Sequence, residues 1–271
     1  MALYGAAMAL IENHMRKLFS YHIVSQLGYM VAALALGSEM GIDGSAAHAF
    51  QNILYKGTLF MCTGAVVYAT GKEKISQLGG LRKDMPVTSL CFLTASLAIA
   101  GFPLLNGFVS KGLIMNSMAE SGAALAELLL MIASIGTFLS ITLKVNYFVF
   151  FGAAETITEA DEGKVPVNMK VAMVIGALAC VFFGLFPQAI YHLVPYGTDG
   201  HAYTMDHITQ SLELFAGAGL VFVMMIEHMK PKEKITLDTD WFYRKPMKAL
   251  ILGLSIGISM LFQIFHSGHF I

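Results

Sequence analysis

Charged residues are scarce in this sequence: Asp, Glu, Lys and Arg make up only 13% of its 271 residues, whereas 56% are hydrophobic. The mean hydropathy is +0.66. A soluble globular domain carries about 25% charged residues, so this composition excludes that class and predicts a protein that crosses a membrane several times. The net charge of −1 and the lack of a dense Lys/Arg cluster also exclude nucleic acid as a partner, because phosphate binding needs clustered cations.

Cysteine is also rare, and the three cysteines present, Cys62, Cys91 and Cys180, each lie alone in a separate apolar segment. Neither a CxxC metal site nor a framework of loop disulfides is therefore expected. No nucleophile elbow, phosphate loop, dinucleotide fingerprint or carboxylate pair occurs. The sequence therefore predicts no catalytic chemistry of its own and no cofactor.

No secretory leader is expected at the start of the sequence. The first apolar run, MALYGAAMALI, lacks a basic region and a cleavage site, and it stops at Glu12. At ~1.5 Å per residue it is also too short to span a ~30 Å hydrocarbon core. We therefore expect the chain to begin part-way through a helix.

Long apolar segments, in contrast, are abundant. Their length and composition predict membrane helices, and they cover residues 18–37, 45–70, 86–101, 122–151, 168–194, 207–229 and 247–266. The loops over 71–84 and 230–248 are basic, which predicts a cytoplasmic location for both. The charged residues of 38–44 and 195–206 are acidic, which predicts the opposite side for these two loops.

The piece over residues 104–118 resolves a conflict in this topology. Counted as a full crossing, it would place the two basic loops on opposite sides of the membrane. Pro103 cannot donate a backbone hydrogen bond, and Gly101 and Gly107 loosen the same turn. We therefore expect a helix interrupted within the membrane, a feature that marks ion sites in transporters.

Two further segments are predicted to be polar or interfacial. The acidic residues Glu155, Glu159, Asp161 and Glu162 indicate a solvated linker. LDTDWFYRKP, residues 237–246, combines aromatic and basic residues in the way that is typical of a membrane-surface anchor.

His48, Asn52 and Lys56 lie four residues apart within one apolar segment. Positions i, i+4 and i+8 drift by only ~80° around a helix, so the three side chains should form one polar stripe. A lysine at the centre of a span costs ~3 kcal/mol on insertion scales, and it should face protein, water or a partner. We expect Lys56 to take part in ion movement, the alternatives being an interfacial lysine or a fixed helix contact.

Three further residues share this interpretation with smaller support. Lys111 follows the predicted break, where exposed backbone groups can hold water or ions. Lys144 lies near a helix end, where a structural role is an equal alternative. His22, like His48, is either a hydrogen-bonded packing residue or a member of a proton relay.

Four stretches carry a resemblance to one family: ALIENHMRKLFSYHIVSQLGYM, NILYKGTLFMCTGAVVYATG, ISQLGGLRKDMP and GFPLLNGFVSKGLIM, in this order. They resemble the antiporter-like proton-conducting subunits of respiratory complex I, of Mrp-type cation/proton antiporters and of membrane hydrogenases. The last third is more similar to the D-type subunits of Mrp antiporters. The resemblance implies that Lys56, His48 and Lys111 match the family's pathway residues and that Arg16 and Lys17 match its basic pair.

The resemblance also implies the fold and the partners. We expect an all-α polytopic membrane protein in which residues 1–151 form the second inverted repeat of the antiporter-like fold, with its broken helix. Residues 152–271 should add C-terminal transmembrane helices and a connector. Other membrane subunits are expected as partners, including a chain that supplies the first half, within the lipid bilayer of a bacterial or archaeal inner membrane.

The sequence departs from the family pattern at two positions. Asn52 stands where a second histidine is common, and His22 stands where a hydroxyl residue is usual. The leading hypothesis is proton translocation, with or without coupling to sodium, in a multisubunit antiporter or a redox-driven complex. The alternatives are a structural subunit that does not conduct and, as a minor one, a haem protein with His22 and His48 as ligands.

Overall fold

The structure is a computed structural model that describes residues 1–152, 165–197, 202–232, 241 and 243–267. Regular structure in these ranges is helical, with no strand among them. The chain divides into two units, Met1–Glu233 and Lys234–Ile271. The acidic linker predicted over Glu155 to Glu162 lies outside the described residues.

The first unit contains nine α-helices within its described residues, five of them long and apolar enough to cross a membrane. Those five are α2, α3, α6 with its π-helical continuation, α7 and α9. The bounds are α1 Ala2–Ile11, α2 Met15–Ala35, α3 Glu39–Thr70, α4 Pro86–Ala100, α5 Asn106–Glu120, α6 Ala124–Thr137 continued by a π-helix over Phe138–Phe151, α7 Val167–Leu185, α8 Gln188–Tyr191 and α9 Met205–Met225.

The start of α3 corrects one prediction. The charge pattern predicts a loop over residues 38–44, but α3 begins at Glu39, because the Ser38 hydroxyl accepts a hydrogen bond from Gly41 N at 3.1 Å. This is an N-cap, which satisfies a backbone donor that the first helical turn leaves without a partner. Asp43 therefore lies on a helix and not in a loop.

The end of α7 corrects a second prediction. Hydropathy predicts a single helix over 168–194, but α7 ends at Leu185, and the short helix α8 follows Pro187. Proline has no backbone N–H and its ring clashes with the preceding turn, so it ends a helix. The Tyr203 hydroxyl then donates to the Gly184 carbonyl at 2.6 Å, which fastens the segment before α9 to the end of α7.

The predicted break near Pro103 is confirmed. Gly101 and Leu104 adopt positive φ values of 89° and 71°, and the chain between them separates α4 from α5. The segment 86–101 is predicted to span by itself, but α4 has only 15 residues, or ~22 Å. Both α4 and α5 pack on α3, as the two halves of one interrupted crossing would. The location of the two basic loops on one side of the membrane stays a prediction.

The loop after α3 is tied to the start of α2. Glu73 pairs with His14 Nε2 at 2.7 Å and with Arg16 Nη2 at 3.0 Å, and its carbonyl accepts from Met15 N at 3.1 Å. The basic residues of this loop and those at the start of α2 thus lie at one end of the helices. The distribution of positive charge predicts that this end is the cytoplasmic one.

The three cysteines, Cys62, Cys91 and Cys180, are buried in one apolar cluster built from α3, α4 and α7. Within the described ranges, no group of His, Cys, Asp and Glu side chains is arranged to hold a metal ion. We assign the cysteines to helix packing.

The second unit contains a π-helical turn, Tyr243–Met247, followed by α10, Lys248–Ser267. The large apolar side chains described on α10 are exposed, as expected of a helix that meets lipid or another chain. Of the anchor predicted over 237–246, Trp241 and 243–246 are described, and the remainder lies outside the described residues.

Candidate functional site

The five predicted pathway residues are all buried in the first unit, on α2, α3, α5 and the π-helix. Their exposed fractions are 0% for His22, 0% for His48, 5% for Lys56, 6% for Lys111 and 2% for Lys144. An ionisable side chain at membrane depth is costly unless dipoles, water or an opposite charge stabilise it. The partners of these side chains therefore decide what they can do.

Lys111 lies against the interruption between α4 and α5. Its Nζ donates to the Ala100 carbonyl at 3.1 Å and to the Ser134 hydroxyl at 3.2 Å, and Ser134 Oγ donates to the same carbonyl at 3.3 Å. The ammonium also lies 5.0 Å from the centroid of the Tyr29 ring. Because the break leaves the last carbonyls of α4 without helical partners, these oxygens can hold a cation in place of water.

A cavity of about 50 Å³ adjoins Lys111 between α5, α6 and α9. Its polar lining includes Ser134 on α6 and His207, Gln210 and Ser211 on α9. This volume is large enough for at least one water molecule that hydrogen-bonds to several of these groups. Lys111 can therefore contact water without leaving its carbonyl partner.

His48 forms the centre of a second polar group. Its Nδ1 lies 2.9 Å from Ser110 Oγ and its Nε2 lies 3.1 Å from Gln26 Oε1. An amide oxygen only accepts, so Nε2 carries the proton, and Nδ1 of the neutral ring accepts from the Ser110 hydroxyl. Both ring nitrogens thus have protein partners, an arrangement that favours hydrogen bonding over the haem ligation considered above.

Tyr29 lies between His48 and Lys111. Its ring centroid is 6.0 Å from that of the His48 imidazole, and its other contact is the Lys111 ammonium. The Tyr29 hydroxyl donates to the Leu130 carbonyl at 2.6 Å, which fixes the ring in this position. His48 of α3 and Lys111 of α5 thus both lie next to the ring of Tyr29.

Lys56 has a different type of partner. Its Nζ donates to the Phe19 carbonyl of α2 at 3.2 Å. His48 also hydrogen-bonds to α2, so the two side chains lie on the same face of α3, as the stripe predicts. The stripe is interrupted at Asn52, whose buried Oδ1 has no hydrogen-bond partner among the described residues.

His22, on α2, contacts the π-helix. Its Nε2 lies 3.0 Å from Ser140 Oγ, and this hydroxyl donates to the Gly136 carbonyl at 2.6 Å, so Nε2–H is the donor to Ser140. His22 lies within electrostatic range of Lys56, Lys111 and Lys144. No other predicted residue of the described chain interacts with all three lysines.

Lys144, on the π-helix, is held by the end of α1. Its Nζ donates to the carbonyls of Leu10 and Glu12, each at 2.7 Å. These are carbonyls at the C-terminal end of a short helix, where the dipole favours a cation. Glu12 adds an electrostatic attraction to Lys144.

Several buried polar atoms between these groups have no hydrogen-bond partner in the part of the chain that the structure describes. Such atoms are uncommon in proteins, and buried water is the usual partner of those that occur. They lie on α2, α3 and α5, and they are His22 Nδ1, Gln26 Nε2, Gln51 Oε1, Gln51 Nε2, Asn52 Oδ1 and Asn106 Oδ1.

The sequence reasoning missed the neutral partners. Gln26 follows His22 by four residues, so the two share one face of α2, and this spacing was a usable signal. Ser110 and Ser134 contact His48 and Lys111 only through the packing of α5 and α6. No local pattern distinguishes these two serines from the others.

Comparison with known proteins gives one family match. A family model described as NADH:quinone oxidoreductase/Mrp antiporter, TM, matches residues 1–140. This range contains α1 to α6, and with them His22, His48, Lys56 and Lys111.

Two individual relatives are similar to most of this chain. An uncharacterized protein of Methanocaldococcus jannaschii is 33% identical over 190 residues, which are 69% of this chain and 39% of that protein. A probable K(+)/H(+) antiporter A/B subunit of Rhizobium meliloti is 28% identical over 241 residues, covering 82% of this chain and 24% of that one. The chain therefore spans well under half the length of these relatives.

A solved structure has the same fold. The structure of the Mrp complex from Dietzia sp. DQ12-45-1b matches with a TM-score of 0.72 and 24% sequence identity, over 94% of this chain and 30% of the matched chain. This likeness extends past the family match into the C-terminal part of the chain.

Proposed function

We propose, from the premise that the chain belongs to the NADH:quinone oxidoreductase/Mrp antiporter membrane family, that it translocates protons as one part of a multisubunit assembly. The chain is an integral membrane protein of the antiporter-like fold. Its own residues supply a buried row of lysines and histidines, and partner subunits supply the remainder of the machinery.

The observation that carries this proposal is the nature of the lysine partners. Lys56 and Lys111 are bound by carbonyl and hydroxyl oxygens, and neither pairs with a carboxylate among the described residues. A carboxylate would hold the ammonium in its charged form, whereas neutral dipoles and water stabilise it less. A buried lysine held by dipoles alone can therefore release and regain a proton.

Each residue then has a distinct role. Lys56 is the proton carrier of α3, and His48, oriented by Gln26 and Ser110, exchanges protons with neighbouring water. Lys111 is the gate beside the broken helix, next to a cavity that admits water. His22 lies between the lysines and relays protons or adjusts their charge, and Lys144 links the pathway to the end of α1.

Water completes the row. The buried amide atoms of Gln26, Gln51, Asn52 and Asn106 lack protein partners among the described residues. They lie on α2, α3 and α5, the helices that also carry the proposed pathway residues, and this supports the proposal. An amide can orient a water molecule but does not itself accept a proton at neutral pH. Asn52 therefore replaces a titratable step by a water-mediated one.

The relatives support a proposal for the assembly and its coupling. One relative is named as part of a probable K(+)/H(+) antiporter, and the matched structure is an Mrp complex. We propose other membrane subunits as partners, including a source of the first antiporter half, in a bacterial or archaeal inner membrane. Exchange of protons against sodium or potassium is a second part of the proposal.

A non-conducting structural subunit is the alternative. The observation that favours it is Asn52, which interrupts the titratable stripe in the middle of α3. Under this alternative, the buried lysines only fix helix contacts.

Vesicle transport separates the two. Lys56→Ala in the full complex should abolish proton uptake and cation-driven exchange, with the assembly intact on a native gel. Lys17→Ala, on the basic end of α2, is the matched control and should transport normally. Unchanged transport by an assembled Lys56→Ala complex would refute conduction through this chain and support the structural alternative.

A further inference from the structure

Two acidic side chains are buried among the described residues, Glu12 and Asp43, with exposed fractions of 5% and 1%. Glu12 follows α1 at the cytoplasmic end. Asp43 lies in the second turn of α3, at the opposite end of the helices. The two carboxylates differ in how completely they are hydrogen-bonded.

The Glu12 carboxylate is capped by backbone donors. Its Oε1 accepts from Asn13 N at 2.8 Å and from His14 N at 2.9 Å. Asp43 Oδ1 accepts one hydrogen bond, from Tyr196 N at 2.9 Å. Asp43 Oδ2 is buried and has no partner within the described ranges.

The surroundings of Asp43 offer no compensating charge among the residues that the structure describes. Next to it, Gly44 lies close to the backbone of α5, and Ala46 and Ala47 pack with Ile190 and Tyr191 of α8. This is an apolar layer.

The titratable side chains near the middle of the elements packed on this part of α3 include Lys111 on α5 and Tyr29 on α2. Glu120 ends α5, and Tyr191 and His192 lie at α8. Among the described residues, none of them hydrogen-bonds or forms an ion pair with the Asp43 carboxylate. Oδ2 is therefore the oxygen of this carboxyl that is left to accept a proton.

We propose that the Asp43 carboxyl is a proton-exchange site at the end of α3 opposite the basic loops. It takes up one proton from the aqueous phase on that side and returns it, with Oδ2 as the atom that gains and loses the proton. Oδ1 stays on the Tyr196 amide throughout. This inference rests on the proposed function and adds the group at which protons enter or leave this side of the chain.

The position of Asp43 on α3 fits such a terminal site. At ~1.5 Å per residue, His48 lies ~7.5 Å and Gln51 ~12 Å further along the same helix. Gln51 is buried with neither side-chain amide atom bonded to a described residue. The apolar layer around Ala47 separates the two polar regions and prevents a continuous leak.

Asp43→Asn tests the proposal, because asparagine keeps the acceptor for Tyr196 N and the size of the side chain but cannot exchange a proton. The assembled Asp43→Asn complex should transport roughly 100-fold more slowly or worse, the contribution typical of a positioned proton-transfer group. Glu39→Gln is the matched control, since Glu39 is an exposed carboxyl at the start of the same helix. It should retain transport per assembled complex.

A purely structural Asp43 gives a different result. The assembled Asp43→Asn complex would then transport like the wild type, as Glu39→Gln does. This result would overturn the proposal.

Infrared difference spectra of the wild-type complex supply a second measurement, which needs no variant to fold. A protonated carboxyl C=O band should titrate with the pH of that side and shift on labelling with 13C-aspartate. Absence of such a band would overturn the proposal. Normal transport by Asp43→Asn together with lost transport by Lys56→Ala would refute this inference alone, whereas normal transport by Lys56→Ala would refute the proposed function.

Discussion

Lys111 and Lys144 are bound in the same manner but in different surroundings. Each ammonium donates to carbonyl oxygens at the C-terminal end of a short helix, Lys111 at the end of α4 and Lys144 at the end of α1. Lys111 has one carbonyl and one hydroxyl at 3.1 and 3.2 Å, and a cavity beside it. Lys144 has two carbonyls at 2.7 Å and a nearby carboxylate.

This difference separates an exchangeable lysine from an anchored one. The Lys111 ammonium can lose its proton because water can replace its partners and no acid among the described residues holds its charge. Two short bonds and the Glu12 charge hold Lys144 and make it the stronger structural contact. We therefore expect Lys111 to determine transport and Lys144 to contribute more to assembly.

The largest expected effect comes from replacing the two lysines by methionine. Lys111→Met should abolish proton transport and leave the complex assembled, because Ser134 still donates to the Ala100 carbonyl. Lys144→Met leaves the carbonyls of Leu10 and Glu12 without this donor, at a cost of ~1–3 kcal/mol each. Thermal unfolding and vesicle transport, measured on the same preparations, distinguish the two effects. If Lys144→Met lost as much transport as Lys111→Met without losing stability, the two lysines would not differ in role.

Gly107→Ala tests the close approach of α4 and α5 next to Lys111. A Cβ at position 107 would collide with the Ala98 carbonyl, so α5 must move away from the end of α4. We expect a loss of stability of a few kcal/mol, as in other overpacked interiors, together with a loss of transport.

Gly57→Ala is the control, since nothing lies within 4 Å of a Cβ there. It should be neutral or stabilising by up to ~1 kcal/mol, because alanine favours the helix. If Gly107→Ala were as well tolerated in thermal unfolding, the close approach of α4 and α5 would be wrong.

Ser134→Ala should have a smaller effect. It removes the hydroxyl that accepts from Lys111, a hydrogen bond to a charged group worth ~1.5 kcal/mol or more, which corresponds to about a tenfold change in transport. Thr137→Ala on the same helix is the control, because its hydroxyl contacts only the Ala133 carbonyl among the bonds seen. Equal rates for the two variants in a vesicle assay would show that Ser134 does not serve Lys111.

The smallest effect is expected for Glu12→Gln. Glutamine keeps the acceptor for the Asn13 and His14 amides and removes the charge near Lys144. The hydrogen bonds of Lys144 Nζ go to the carbonyls of Leu10 and Glu12, which the substitution leaves in place, so transport should stay within about twofold of the wild type. A large loss of transport in the assembled variant would place Lys144 among the exchanging groups.

The helical membrane fold and the broken helix could be predicted from the sequence, because both depend on local properties. Apolar length defines a span, and Pro103 between Gly101 and Gly107 interrupts one. The predicted start of α3 and the predicted end of α7 are wrong by several residues. The Ser38 cap and the stop before Pro187 decide these boundaries, whereas the prediction follows the length of the apolar runs. A hydropathy pattern alone therefore does not locate helix ends that a cap or a proline determines.

The candidate site could be predicted only for its charged members. A lysine in an apolar segment is conspicuous, so Lys56 and Lys111 are found by position alone. Their partners are backbone carbonyls and hydroxyls brought close by packing, such as the Phe19 carbonyl and Ser134, and these have no distinctive sequence. The burial of Asp43 depends on α8, which lies about 150 residues later, and a local charge pattern therefore places it in a loop.

Proton flux through lysine-to-histidine variants tests the central claim, that Lys56 and Lys111 belong to one proton path. Histidine still titrates, so flux in sealed liposomes should be slowed and remain measurable. Lys56→His and Lys111→His should each slow the flux. If both lysines lie on one path, the increase in transit time per proton in the double variant should equal the sum of the increases in the two single variants. Wild-type flux through the assembled double variant would contradict the account.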